Sequence, residues 1–209
     1  MGIFTRKTTA SSVAVLDRDN FDAATRTIAD VSGDYVLDPS HTRIGFSARH
    51  AMVTNVRGQF DTFEGAAHID TTDPAASTVR VTIKAGSVST GQEQRDGHLK
   101  SGDFFDVENH PDITFVSTSV KRDGSEWTIS GELTIKAVSR PVTVLFEELG
   151  SAKDPYDNLR VGFEGGVTIN RSDWGLSFNA ALETGGVLVS EKIKLDFDIS
   201  AIAETSVPA

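Results

Sequence analysis

The sequence predicts an all-β protein whose strands close into one antiparallel barrel. About eight segments alternate between apolar and polar residues with the period of two that is typical of half-buried strands. No long segment with helical periodicity separates them, and turn-forming residues join them at hairpin-like spacings. Closing such a sheet hides its edges, so a barrel is favoured over the alternative, a packed sandwich.

The chain is expected to form a single domain. All-β barrels of about this length, 209 residues, often remain undivided. Residues 1–33 are polar and rich in turn formers, which predicts an N-terminal extension that is either a tail or a short docked helix. We expect the barrel to span residues 34–203 and a C-terminal tail to occupy residues 204–209.

The strands can be placed from their alternating pattern. In segment 43–50, residues Ile44, Phe46, Ala48 and His50 share one face, so His50 is directed inward at the end of the strand. Gly58 indicates a bend or bulge in the next segment, and Arg57 adjoins it. The predicted strands are residues 43–50, 55–63, 78–84, 113–120, 127–135, 142–148, 160–169 and 187–199.

A short helical connection is predicted around residues 92–101, just before two adjacent aromatic residues. These residues, Phe104 and Phe105, must enter a shared interior. Pro111 then favours extended structure for the residue that precedes it, which begins the next strand. The stretch is typical of a plug over a β structure, and its phenylalanines either fill a core or line a cavity.

A second aromatic-rich loop, residues 170–178, follows the seventh predicted strand and is placed to close the mouth of the barrel. Trp174 combines a large apolar face with one N–H donor. Arg171 either pairs with Asp173 or binds an anionic head group.

Composition excludes several classes of protein. A net charge of −10 argues against binding to duplex nucleic acid, which requires a clustered basic face. No apolar segment is long enough to cross a bilayer as a helix. Without cysteine the chain has neither disulfides nor thiolate metal sites. The first residues lack the apolar segment of a secretory signal, so we expect a cytoplasmic protein.

No motif for catalysis or metal binding is present. The histidines do not occur at the close spacings of zinc sites, and no nucleophile elbow, phosphate-binding loop or dinucleotide-binding turn is found. We therefore expect no catalytic residue, no metal and no cofactor. A lipid hydrolase or isomerase that uses His50 with an acid is the weaker alternative.

Several separated motifs together resemble the YceI-like family over residues 34–203. A series of motifs in the right order is more specific than any one of them. The motifs are residues 38–46 (DPSHTRIGF) with Arg49 and His50, 56–60 (VRGQF), 95–106 (RDGHLKSGDFFD), 111–115 (PDITF), 131–135 (GELTI) with 140–142 (RPV), and 169–175 (INRSDWG).

The resemblance implies an eight-stranded, lipocalin-like antiparallel barrel with the helical connection near residues 92–101. It further implies an elongated apolar cavity that binds a polyisoprenoid or similar long amphiphile, which the protein carries or stores. An isoprenoid quinone or a fatty acyl lipid is the other possible ligand. Many family members are exported to the periplasm and several are dimeric, so a homodimer is also expected.

The candidate binding residues form two groups. The residues expected to line the apolar cavity are Phe46, Phe60, Leu99, Phe104, Phe105, Phe115, Leu133, Phe163, Trp174 and Phe178. Those expected near the ligand head group, at a barrel end, are His50, Arg57 and Arg171. The rival hypothesis from another class is a stress-associated structural or protein-interaction module whose barrel is filled by its own side chains.

Overall fold

The computed structural model describes residues 30–51, 53–183 and 185–204, which form eleven strand segments, one α-helix and three short 3-10 helices. The only α-helix in this part of the chain is α1 (Glu93–Lys100). The strands are β1 (Gly33–Leu37), β2 (Arg43–His50), β3 (Thr54–Phe60), β4 (Phe63–Ile69), β5 (Thr78–Lys84), β6 (Val88–Ser89), β7 (Asp112–Asp123), β8 (Glu126–Ile135), β9 (Val138–Lys153), β10 (Leu159–Asn170) and β11 (Val189–Ala203).

These segments form a closed barrel of eight antiparallel strands, which confirms the predicted fold. Around the barrel the order is β1, β4, β5, β7, β8, β9, β10 and β11, and β11 pairs with β1 to close the ring. Three of the eight strands are interrupted, so that β2, β3 and β6 continue β1, β4 and β5 toward one end. Because the sheet closes on itself, the alternative fold, a packed sandwich of two sheets, is excluded.

The interruptions follow from the spacing of buried residues. Phe60 and Phe63 both lie in the same buried core cluster, although residues three apart on a regular strand point to opposite faces. The chain therefore leaves the ladder at Asp61 and Thr62, whose backbone N–H groups donate to the carbonyl and hydroxyl oxygens of Ser87 at 3.2 and 3.0 Å. The single strand predicted for residues 55–63 is divided here into β3 and β4.

Helix α1 confirms the predicted helical connection. The Gln92 side chain caps its first turn by accepting the Arg95 N–H at 2.8 Å. None of the residues of α1 is fully buried. The helix packs beside β6, at the end of the barrel where β2 finishes at His50.

The opposite end of the barrel is filled by a second buried cluster. Val31, Tyr35, Val120, Trp127 and Val161 are its most buried members, with exposures of 0 to 3%. The Tyr35 hydroxyl donates to the Val31 carbonyl at 2.8 Å. The boundary predicted at residue 34 therefore falls inside the barrel, because β1 begins at Gly33 and Val31 belongs to this packed end.

Other predictions concern residues that lie outside the described part of the chain. The tail or docked helix predicted for the N-terminal extension falls largely on residues 1–29, and the C-terminal tail falls on residues 205–209. Within the described residues, no helix has the length and apolar character needed to cross a membrane.

Candidate functional site

A cavity of about 840 Å³ occupies the barrel interior. Its wall consists almost entirely of apolar side chains and extends from Trp127 at the packed end to His50 and α1 at the other. Along β11 the wall runs from Val189 to Ala201, which corresponds to a depth of roughly 30 Å at the usual strand rise and barrel tilt. The end beside His50 and α1 is called the mouth below.

Nine of the ten residues predicted to line the cavity border it in the structure. They are Phe46, Phe60, Leu99, Phe104, Phe105, Phe115, Leu133, Phe163 and Phe178. Trp174 does not line the cavity. Its indole, only 3% exposed, fills the core behind the wall, where its ring N–H donates to the Leu133 carbonyl at 2.9 Å.

Several phenylalanine rings in the wall pack closely against glycines of the neighbouring strand, including Phe115 against Gly131. Phe46 pairs with Gly58, and a Cβ added to Gly58 would lie 2.4 Å from Phe46 Cζ. Phe146 and Gly165 repeat this arrangement, also at 2.4 Å. The β2–β3 register runs through Gly58 without a shift, so this glycine makes room for a ring rather than the predicted bend or bulge.

Aromatic contacts join the plug to the wall at the mouth. Phe60 meets Phe105 edge-on at 5.7 Å between ring centroids, and the His98 ring lies 5.1 Å from Phe104 and 4.7 Å from Phe178. Phe104 is only 7% exposed. The two plug phenylalanines thus belong to the core and line the cavity at once, which combines the two alternatives left open by the sequence.

The three predicted head-group residues lie in different places. His50 borders the mouth and is exposed there, as is Arg49 on the opposite face of β2. Arg171 also borders the cavity, but its guanidinium donates to the carbonyls of Ser190, at 3.0 Å, and Leu176 and pairs with Glu191 at 3.1 Å. The predicted partner Asp173 is therefore replaced by Glu191.

The prediction for Arg57 is wrong. Arg57 is exposed and does not line the cavity. On β3 the inward positions are Val56, Gly58 and Phe60, so the intervening Arg57 points outward. The bend that was expected to redirect its side chain is absent from β3.

Helix α1 supplies polar groups to the mouth that the sequence analysis did not single out. Gln92, Gln94, Arg95 and His98 border the cavity together with Leu99. Arg95, His98 and Leu99 share one helical face, because residues three and four apart are neighbours on a helix. The sequence shows that these residues share a helical face, but it does not show which face of the helix turns toward the barrel.

A buried polar cluster supports the packed end. Glu148 is 9% exposed and accepts from the Trp127 ring N–H and from Arg122, each at 3.0 Å. The Arg122 guanidinium also lies over the Trp127 ring, 4.9 Å from its centroid. Because every polar atom here has a partner, Trp127 presents its ring to the cavity without leaving a buried donor unpaired.

The histidines do not form a catalytic or metal-binding arrangement in the described part of the chain. His41, His68, His98 and His110 each lie near an aspartate, whereas no carboxylate of a described residue approaches within 4.0 Å of His50. No group of three or more potential metal ligands was found among these residues. The geometry therefore does not provide the pairing of His50 with an acid on which the hydrolase hypothesis depends.

Comparison with known proteins identifies relatives over most of the barrel. A model of the YceI-like domain matches residues 35–201. A UPF0312 protein of Staphylococcus aureus is 40% identical over 164 residues, covering 78% of this chain and 94% of that protein. A UPF0312 protein of Pseudomonas paraeruginosa is 38% identical over 151 residues, covering 71% and 79% respectively.

Solved structures show the same fold. A YCEI protein of Campylobacter jejuni is 30% identical, with a TM-score of 0.65 over 81% of this chain and 97% of that one. A polyisoprenoid binding domain of Saccharophagus degradans is 18% identical, with a TM-score of 0.62 over 81% and 98%. At that lower identity the likeness supports the fold alone.

Proposed function

The chain belongs to the YceI-like family, and from this premise we propose that it binds a polyisoprenoid or similar long-chain amphiphile and carries or stores it. The observation that carries the proposal is the apolar cavity of about 840 Å³ that extends along the barrel. Its volume lies in the range of small-molecule sites, about 300 to 1,000 Å³. The Saccharophagus degradans protein, which shares the fold, is described as a polyisoprenoid binding domain.

Burial of the hydrocarbon chain would supply most of the affinity. Each buried methylene contributes about 0.8 kcal/mol, so a chain of ten or more carbons offsets the loss of translational and rotational freedom on binding. The cavity is deep and its wall offers few polar partners, which favours a long chain over a compact polar molecule. A polyisoprenoid, the tail of an isoprenoid quinone and a fatty acyl chain all meet this requirement.

The position of the polar groups supports one direction for the proposed ligand. An unpaired polar group in an apolar interior costs a few kcal/mol, on the order of 2 to 7. The mouth supplies His50, Gln92, Gln94 and Arg95, whereas the packed end is bordered mainly by apolar and aromatic side chains. We therefore place the tail toward Trp127 and the head group at the mouth.

A self-filled barrel is the alternative from another functional class. Such a barrel would leave no room for a chain, whereas the described side chains enclose a cavity large enough for one. In our proposal the protein holds its ligand without changing it chemically. Organic extraction of the purified full-length protein, followed by mass spectrometry, should yield a lipid in stoichiometric amount.

Blocking the packed end tests whether the chain occupies the cavity. Ala67 lines the cavity and packs beside the packed end, whereas the adjacent Ala66 is exposed. We expect Ala67→Trp to weaken binding of a C18 fatty acid at least tenfold, and that of a C10 fatty acid much less. Ala66→Trp is the matched control and should bind both ligands like the wild type.

The titration is read out by isothermal calorimetry, with the unfolding midpoint of each variant measured alongside. Equal binding of the C18 chain by both tryptophan variants, with both folded, would contradict a ligand inside the barrel. Failure of the wild-type protein to bind any of the chains, together with a lipid-free extract, would favour the structural or interaction module instead.

A further inference from the structure

The cavity wall has the opposite charge balance to the chain as a whole. The sequence carries 30 acidic and 20 basic residues. Among the described residues, however, the cavity is bordered by Arg49, Arg95 and Arg171 and by no aspartate or glutamate. Arg95 and Arg171 lie at the mouth, beside His50 and His98. The charged side chains that border the cavity are therefore basic, although carboxylates such as Glu191 and Asp103 lie close behind Arg171 and His98.

Arg95 differs from the other arginines of the described chain. Buried or half-buried arginines elsewhere are paired with carboxylates, as Arg122 is with Glu148 and Arg171 with Glu191. The described arginines that lack a carboxylate within 4.0 Å are Arg49, Arg57, Arg80, Arg95 and Arg140. Of these, Arg95 alone is half-buried, while the others are exposed. Its charge is thus held at the edge of an apolar cavity without a described counter-ion.

Contacts with the preceding loop hold the Arg95 side chain in place. Its Nε–H donates to the Thr90 hydroxyl at 2.7 Å, and Nη2 donates to the Thr90 carbonyl at 3.0 Å. Thr90 is held in turn by Asp96, which accepts the Thr90 N–H at 2.9 Å. A guanidinium has five N–H groups, so this arrangement leaves the Nη1 edge available for a bidentate contact.

Helix α1 as a whole is arranged for polar contact rather than for core packing. Leu99 carries the only apolar side chain of α1, and no residue of the helix is fully buried. The helix nevertheless lies over an apolar cavity. Gln92, Gln94 and His98 border the same opening as Arg95 and add further hydrogen-bonding groups around it.

We propose that Arg95 binds an anionic head group, a phosphate or a carboxylate, of the amphiphile whose tail fills the cavity. This inference rests on the proposed function and specifies the chemical class of the ligand. Planar guanidinium groups match the paired oxygen atoms of both anions. Arg171 is assigned no direct role, because its donors are engaged by Ser190, Leu176 and Glu191.

Binding of matched ligand pairs tests the proposal. Farnesyl phosphate is compared with farnesol, and palmitate with hexadecanol, by titration of the full-length protein. We expect the wild type to prefer the anion in at least one pair by roughly tenfold to a hundredfold, the range of one hydrogen bond to a charged group. The pair with the larger preference identifies phosphate or carboxylate as the head group.

Two substitutions make the test specific. Arg95→Gln should reduce the preference to about twofold or less while affinity for the alcohol stays within about threefold, and Arg95→Lys should retain part of the preference. Arg57→Gln, on the outer wall, removes the same charge from the protein and should preserve the preference. Thermal unfolding of each variant shows whether α1 and its loop remain folded.

The possible failures are distinguishable. A wild-type protein that binds both members of each pair equally would overturn the head-group inference but leave the lipid-binding proposal intact. A preference that Arg95→Gln and Arg57→Gln weaken alike would also overturn it, because the effect would then reflect net charge. Failure of all four ligands to bind would contradict the proposed function itself.

Discussion

At the scale of single residues, small side chains shape the cavity as much as large ones do. Gly58 and Gly165 allow the rings of Phe46 and Phe146 to lie against the wall. A larger residue at either position would push a ring toward the barrel axis. The aromatic wall therefore contributes apolar surface without filling the space that the proposed ligand needs.

A charged cluster fastens the junction between β1 and β2 to the hairpin of β9 and β10. Asp38 is 7% exposed and accepts from Arg160, from His41 at 2.6 Å and from the Ser40 N–H at 2.9 Å. Arg160 also pairs with Asp154 at 2.9 Å. Hydrogen bonds, chiefly from Arg160, lower the pKa of the Asp38 carboxyl to about 2.

This cluster predicts a pH-dependent contribution to stability. The Asp38 pKa is about 2 in the folded protein and about 3.9 in an unfolded chain, so the stabilisation is complete above about pH 5 and is lost as the pH falls through 4 toward 2. As the pH is lowered through this range, the free energy of unfolding of the wild type should fall by about 1 to 2 kcal/mol more than that of Asp38→Asn.

Urea unfolding at a series of pH values measures this difference. Asp198→Asn is the control, because Asp198 is exposed on β11 and makes no side-chain hydrogen bond to any described residue. Parallel acid profiles for the wild type and Asp38→Asn would show that the cluster does not contribute to stability.

At the scale of secondary structure elements, the first strand connects both ends of the barrel wall. β1 pairs with β4 and β11 at the packed end, and β2 extends the same strand to the mouth. Val31, immediately before β1, has no exposed surface and packs in the same cluster as Trp127. We therefore predict that the folding unit begins before Val31 rather than at residue 34.

Two truncations test this boundary. Deleting residues 2–29 should leave the cooperative unfolding transition in place, as expected for an extension outside the barrel. Deleting residues 2–33 also removes Val31 and should lower the free energy of unfolding by about 2 kcal/mol or more, because an apolar side chain is lost from the packed end. Chemical denaturation of both proteins measures the effect.

Identical transitions for the two truncated proteins would show that Val31 does not stabilise the packed end. Val31→Ala in the full-length chain is the matched point variant and should be destabilised in the same direction. An insoluble product from the shorter deletion would instead indicate that residues 2–29 cover apolar surface.

At the scale of the whole molecule, charge and shape together define how a ligand would approach. The acidic chain, with a net charge of −10, would repel free anions at long range. Entry of an anionic amphiphile would therefore depend on burial of its tail and on the local contact with Arg95. Binding of such a ligand should strengthen as the ionic strength rises from low values, because salt screens the repulsion between the whole protein and the ligand.

Dimerisation is a further prediction at this scale, and it is motivated by resemblance to the family. Sedimentation velocity at micromolar concentration should show a species of twice the chain mass. A single monomeric boundary across the concentration range would contradict the prediction. Repeating the measurement with the protein before and after lipid extraction shows whether assembly depends on the ligand.

The sequence by itself determined the barrel, the position of α1 and the inward direction of residues such as Phe46 and Phe115. These features follow from alternation along a strand and from the spacing of turn residues, which are local properties. The family resemblance added the cavity as an expectation.

Only the tertiary structure decided which polar residues meet at the mouth and where each strand is interrupted. Arg57 points outward and Trp174 lies behind the wall, whereas Arg95 borders the cavity without a described carboxylate partner. Arg171 is engaged by Glu191, twenty residues away, rather than by Asp173. The physical reason is that the packing of α1 and the loops on the barrel brings together residues that are distant in the sequence. This packing decides which side chains become partners, and the local period of a strand or helix contains no information about it.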